Sequence, residues 1–287
     1  MKPQPPVNRR AIAIFFIITG LLSLGFWWKG KDRMEDTPVT EKTGWFEPLR
    51  ISFNVEPSAR VKGISTETEE FVSKLKQEID MSEGIWSVYV YRLNEKQGYG
   101  ISENLVLPAA SIMKVPIMVS TYQAIENGKL EQTDTIAEML TAMGKRSDNE
   151  APTELLNSIG RDKVRQTLKE LGMLNSNLEE NNVTAKDVAV MWQKLYDGEL
   201  ISEAHKEKMW LDLQDSIFEE RIPAGVPAEI PVVHKVGSDL EVWADSGIVL
   251  SDSPFVVVVL NKDVNLIQAK DVVPRLVKMI WDHESSQ

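Results

Sequence analysis

Ser111 and Lys114 stand three residues apart in PAASIMKVPIM, residues 108–118, at the head of an apolar run. On a helix that spacing puts both side chains on one face, within contact range. An amine beside a serine hydroxyl can take its proton if the amine is partly neutral. Burial among Ala109, Ala110, Ile112, Met113 and Val115 would lower a lysine pKa in that direction. A serine at a helix N-terminus also lies near free backbone N–H groups, which can hold a developing oxyanion. Taken alone, the pair has a plainer reading as an N-cap serine and a snorkelling lysine. Ser73 and Lys76 repeat the spacing in a charged amphipathic helix, where a solvated face accounts for them.

Two further groups could join this chemistry. Ser147-Asp148-Asn149, within KRSDNEA at residues 145–151, has the composition of a helix cap. It falls between two helical segments, and in an extended segment Ser147 and Asn149 point the same way. Lys235 ends the apolar strand PVVHKVGSD, residues 231–239. An edge lysine that blocks sheet aggregation would explain it without function. Lys42-Thr43-Gly44 is a similar triplet, but it lies outside any strand pattern.

The elements that must position these residues are legible from periodicity. A helix is expected through Phe71, Leu75 and Ile79, followed by the strand WSVYVYRL at 86–93, a turn at 94–98 and the return strand YGISE. The region from about 109 to 220 is helical, and Asn127-Gly128 stops its first helix. Further helices fit 135–143, 150–158, 161–171 and 184–197. Strands return at 230–237, 242–250 and 254–261 with short connections, and a helix over 269–284 closes the chain despite Pro274. Short hairpin links make the strands antiparallel. The expected fold is α+β: the two ends form one five-stranded antiparallel sheet flanked by helices, and the middle forms an all-helical subdomain. A cleft is expected where the halves meet.

Composition narrows the function classes. The net charge of −11 disfavours nucleic acid, because the surface repels phosphate backbones. With no cysteine and only His205, His234 and His283, thiolate nucleophiles are excluded and a multi-histidine metal site is disfavoured. No glycine-rich phosphate loop follows a strand, and no cofactor is called for. Residues 11–28, AIAIFFIITGLLSLGFWW, carry no charge and as a helix would span roughly 27 Å, the thickness of a bilayer core. Arg9 and Arg10 precede them and Trp27 and Trp28 close them, so a single transmembrane anchor with residues 1–10 in the cytoplasm is expected. Residues 29–62 read as a tether and 63–287 as the folded domain, with a sheet part at 63–108 and 222–287 and a helical part at 109–221.

Taken together, Ser-x-x-Lys at 111–114, Ser-Asp-Asn at 147–149 and Lys-x-Gly at 235–237 resemble the signature of class A β-lactamases and penicillin-binding proteins. The resemblance extends over about 67–284 and includes RIPAGVP at 221–227 and HKVGSDLEVWADSGIV at 234–249. It implies that Ser111 is the acylated nucleophile, Lys114 its base and Ser147 the proton relay to the leaving nitrogen. Lys235 would supply positive charge for a substrate carboxylate. Asn149 would bind the substrate amide, Gly237 would let the backbone approach the substrate, and the N–H groups of Ser111 and Ser238 would form the oxyanion hole. The implied substrate is a β-lactam or a D-Ala-D-Ala cell-wall peptide, met by a monomeric domain outside a bacterial membrane. The triplet at 42–44 is then the accident and that at 235–237 the site.

Three departures bear on activity. Val236 replaces a hydroxyl residue that helps to bind the substrate carboxylate, a loss of roughly 1–3 kcal/mol if the partner is left unpaired, with Ser238 as a partial substitute. Glu179 and Glu180 lie in the segment where class A enzymes hold their deacylating glutamate, but outside its context, and read as surface carboxylates. The interval from Ser111 to Ser147 is short, so one rim of the cleft is missing. Slow deacylation is expected, in the manner of a penicillin-binding protein or peptidase. The competing class is a degenerate domain that binds wall fragments or a partner without catalysis.

Overall fold

The computed structural model describes residues 65–287. The expected anchor at 11–28, the whole tether at 29–62 and Lys42-Thr43-Gly44 within it lie outside the described residues. No helix among the described residues is long and apolar enough to cross a membrane.

Helix α1 (Thr66–Asp80) starts at Ser65, whose hydroxyl accepts from the Thr68 N–H. Strands β1 (Ile85–Arg92) and β2 (Gln97–Ile101) form the expected hairpin. A two-residue strand β3 (Leu107–Pro108) then leads through the 3₁₀ turn Ala110–Met113 into α2 (Lys114–Glu126). The helical half continues through α3 (Asp134–Lys145), α4 (Ala151–Ile159) and α5 (Arg161–Glu170). Strand β4 (Asn182–Val183), α6 (Ala185–Tyr196) and α7 (Glu203–Leu213) complete it. Strands β5 (Val232–Asp239), β6 (Val242–Val249) and β7 (Phe255–Lys262) and helix α8 (Leu266–Glu284) close the fold.

The main sheet has the order β2-β1-β7-β6-β5 and all its pairings are antiparallel. Both faces are covered, which explains the unbroken apolar run of β7. Phe255, Val257 and Val259 join the core with α1 and α8, while Val256, Val258 and Leu260 join the core of the helical half. Period-two alternation thus serves two cores at once. Helix α2 is buried over nearly its whole length, from Lys114 to Ala124, and forms the centre of the helical half.

Two elements escaped the sequence reading. Helix α7 has Ser202 as its cap but a weak apolar stripe, burying only Met209 and Leu213. The β3–β4 pair is too short for alternation to register, yet its register of Leu107 with Val183 and Pro108 with Asn182 fixes the approach to the turn that carries Ser111.

Candidate active site

The site lies where β5, at the edge of the sheet, meets the turn before α2 and the link between α3 and α4. Ser111 sits on the 3₁₀ turn rather than on the helix, and Lys114 is the first helical residue. The turn is reached through two constrained steps. The Ala109 N–H donates to the Asn181 carbonyl at 2.8 Å, and Ala110 has φ of 46°, a left-handed conformation that costs a non-glycine residue energy. The Ser111 hydroxyl makes no hydrogen bond to another described residue.

Lys114 is 6% exposed, and its ammonium donates three bonds, to the Ser147 carbonyl at 2.6 Å, the Ser147 Oγ at 3.3 Å and the Asn149 Oδ1 at 2.7 Å. Burial pushes its pKa down to about 8, against the pull of the Asp148 carboxylate. The Ser-Asp-Asn tripeptide divides its labour. Asp148 Oδ1 accepts from the N–H groups of Glu150 and Ala151 at the start of α4, as a helix cap does, and so frees its neighbours for Lys114. Ser147 takes φ of 53°, and this strained backbone turns both its carbonyl and its hydroxyl to Lys114.

Lys235 is 1% exposed and has no hydrogen bond or ion pair to a described residue; its Nζ lies 5.8 Å from the centre of the Phe218 ring. Burial, then the charges of Lys114 and Arg221, push its pKa down to about 7, and Asp245 opposes them. A cation this deep with no partner among the described residues is costly to the fold, which makes the cleft a candidate functional site. Gly237 lies on the same face of β5. A Cβ there would come within 2.8 Å of the Ala109 carbonyl and 3.3 Å of Ile112 Cγ1. The close approach that this glycine permits is therefore to the turn that carries Ser111. Val236 points to the opposite face, where it is buried and paired in register with Asp245.

Arg221 belongs to the same site, although the sequence reading gave it no role. It is fully buried, donates to the carbonyls of Gly237 at 3.1 Å and Ala244 at 2.6 Å, and holds Ser238 Oγ at 2.6 Å. Its guanidinium stacks 3.6 Å from the Trp243 ring centre. Its position in RIPAGVP, just ahead of the Lys-x-Gly strand, was the available signal.

The carboxylates of the 171–184 segment are occupied elsewhere. Glu179 accepts from Arg165 Nε at 2.8 Å on the exposed side of α5, and Glu180 accepts from Asn182 Nδ2 at 3.3 Å and is itself exposed. Among the described residues no cluster of histidine and carboxylate side chains could hold a metal ion. The Ser73–Lys76 pair is solvated: Ser73 Oγ donates to the Glu69 carbonyl and Lys76 pairs with Asp80 at 2.7 Å.

A split antiparallel sheet around a helical subdomain, with a serine and two buried lysines at their junction, defines the active-site-serine β-lactamase fold. The chain belongs to the beta-lactamase enzyme family, whose profile matches residues 70–283. The structure is similar to that of PBP-A, with a TM-score of 0.69 at 18% identity over 76% of this chain and 97% of that one. A variant of PBP-A captured as an acyl-enzyme complex with penicillin G superposes with a TM-score of 0.70 at 19% identity, over 76% and 97% of the two chains. A β-lactamase from Chitinophaga pinensis gives 0.68 at 20% identity, over 75% and 99%. A search of curated proteins found no match.

Proposed function

We propose that the chain is a membrane-anchored serine hydrolase that is acylated at Ser111 by a β-lactam or a related cell-wall amide and releases the acyl group slowly. The observation that carries this reading is the Lys114 amine, buried, pushed down to about 8 and held against Ser147 and Asn149. A neutral Lys114 takes the proton of Ser111 Oγ as the oxygen attacks the amide carbonyl. The N–H groups of Ser111 and Ser238 receive the oxyanion; losing one such donor typically costs about 3–4 kcal/mol. When the C–N bond breaks, Ser147 Oγ gives its proton to the leaving nitrogen and recovers one from Lys114. Lys235 receives the substrate carboxylate, and Arg221 holds the Ser238 end of the strand in place behind it.

Slow release follows from the outward engagement of Glu179 and Glu180, which favours a penicillin-binding or peptidase-like enzyme over an efficient β-lactamase. The full-length protein in detergent, pulsed with penicillin G and followed by mass spectrometry, should gain the mass of the whole antibiotic on the Ser111 peptide and keep it after free drug is removed. Ser111→Ala should gain none. Rapid loss of the adduct with multiple turnovers would instead identify an efficient β-lactamase, and neither adduct nor hydrolysis would sink the hydrolase reading.

A further inference from the structure

His234 is next to Lys235 in the chain, but its side chain enters the opposite face of β5 and plays no part in the chemistry above. It is 1% exposed. Its Nδ1 meets the Asp245 carboxylate of β6 at 2.9 Å, and its Nε2 meets Glu219 Oε1 and Ser216 Oγ, each at 3.3 Å. Burial alone would favour the neutral ring, but the two carboxylates outweigh it and raise the pKa to about 9. Both ring nitrogens therefore carry protons at neutral pH, and one imidazolium can bond to two elements.

Those elements also meet through Arg221, which donates to the Ala244 carbonyl of β6, but His234 makes the tie nearest Phe218. Asp245 is interior to the sheet and also accepts from the Ile222 N–H at 3.1 Å. Glu219 and Ser216 belong to the irregular segment 214–221 that crosses from α7 to the sheet. The near end of that segment is tied to the helical half: the Ile217 N–H donates to the Lys145 carbonyl at 3.1 Å, and Lys145 Nζ donates to the Gln214 carbonyl. Between these two ties sits Phe218, whose N–H donates to Ser216 Oγ at 3.0 Å and whose ring covers Lys235. Removing the far tie leaves Phe218 held on the sheet side only through Arg221, three residues further along the segment.

We propose that His234 is a positioning residue, a cationic clamp between Asp245 and Glu219 that holds segment 214–221 down so that Phe218 shields the Lys235 ammonium from water. The clamp sets how deeply Lys235 is buried, and so at what pH it keeps its charge. The importance of that charge for substrate rests on the hydrolase reading; the shielding itself does not.

The test compares the full-length wild type with Glu219→Gln and His234→Asn. Glu219 is half exposed, so its neutral replacement should fold even if the buried variant does not. Each protein is labelled briefly with acetic anhydride at pH 8, and Lys235 is scored by peptide mass against Lys278, an exposed residue of α8. Lys235 of the wild type should react far more slowly than Lys278, and Glu219→Gln should speed Lys235 about ten-fold by local opening without changing Lys278. The alkaline limb of acylation by a fluorescent penicillin should move to higher pH in the same variant, as Lys235 regains water. Unchanged Lys235 labelling in Glu219→Gln would overturn the clamp. A wild type that is never acylated would overturn the hydrolase reading instead, and the labelling would still decide the clamp.

Discussion

Lys114 and Lys235 share one cleft with opposite demands on their protons. In the proposed mechanism Lys114 works as a base only when neutral, above about 8, whereas Lys235 attracts a carboxylate only when charged, below about 7. Each lowers the other's affinity for a proton, so the two titrate as a pair. The productive form carries one proton, on Lys235. The second-order rate of acylation should trace a bell with its maximum between pH 7 and 8, reporting the free enzyme. Stopped-flow acylation with a chromogenic β-lactam from pH 5 to 10 measures it; a rate that climbs steadily to pH 10 would remove Lys235 from any charged role. The sequence carried the identity of both lysines, but each looked ordinary alone, one as a snorkelling side chain and the other as an edge residue. Only their common burial distinguishes them.

Strand β5 is where the two halves of the chain are brought to working distance. Gly237 lets it lie against the Ser111 turn, and Arg221 fastens its end by bonding Gly237, Ser238 and Ala244 together. Gly237→Ala would press a methyl group against the Ala109 carbonyl, which a rigid turn with Ala110 already strained cannot easily yield. The expected result is a loss of about 1–3 kcal/mol of stability from overpacking and a larger proportional loss of acylation, because the Ser111 turn is the part that moves. Denaturant unfolding and penicillin labelling, run on the same preparation, separate the two; full acylation with normal stability would contradict this account of the glycine. At this scale the elements with strong periodicity could be read directly, β7 and α2 among them. Arg221 and Phe218 could not, since each acts from an irregular segment on a strand that only the fold brings near. Asp148 shows the same limit from the other side: its capping role was legible, while the freedom it gives Ser147 and Asn149 was not.

The whole molecule carries a thermodynamic record of this site. Lys114 and Lys235 have folded values of about 8 and 7 against an ordinary value of 10.5, so the fold bears their buried charge at low pH and is relieved of it as pH rises from those values toward 10.5. His234 runs the other way. Its folded value of about 9 lies above the ordinary 6.5, so its contribution is complete below 6.5 and is lost as pH rises through 9. From 7 to 8 the loss from His234 offsets the gain from Lys235; above 8 Lys114 adds its own gain, and above 9 the lysines act unopposed. Tyr89, raised to about 12 by burial, and Tyr122, raised for the same first reason, hold their protons in the fold and end the rise above about 10, where an unfolded tyrosine ionises. Thermal unfolding should therefore give a higher midpoint at pH 9.5 than at pH 7.5, an alkaline optimum that an ordinary acidic protein does not share. The variant carrying both Lys114→Met and Lys235→Met should be more stable at pH 7.5, since it no longer desolvates two ammonium groups, and its midpoint should fall between 7.5 and 9.5 because His234 then acts alone. A midpoint that is flat with pH in the wild type, or that still rises in the double variant, would show that the two lysines are far better solvated than their burial indicates.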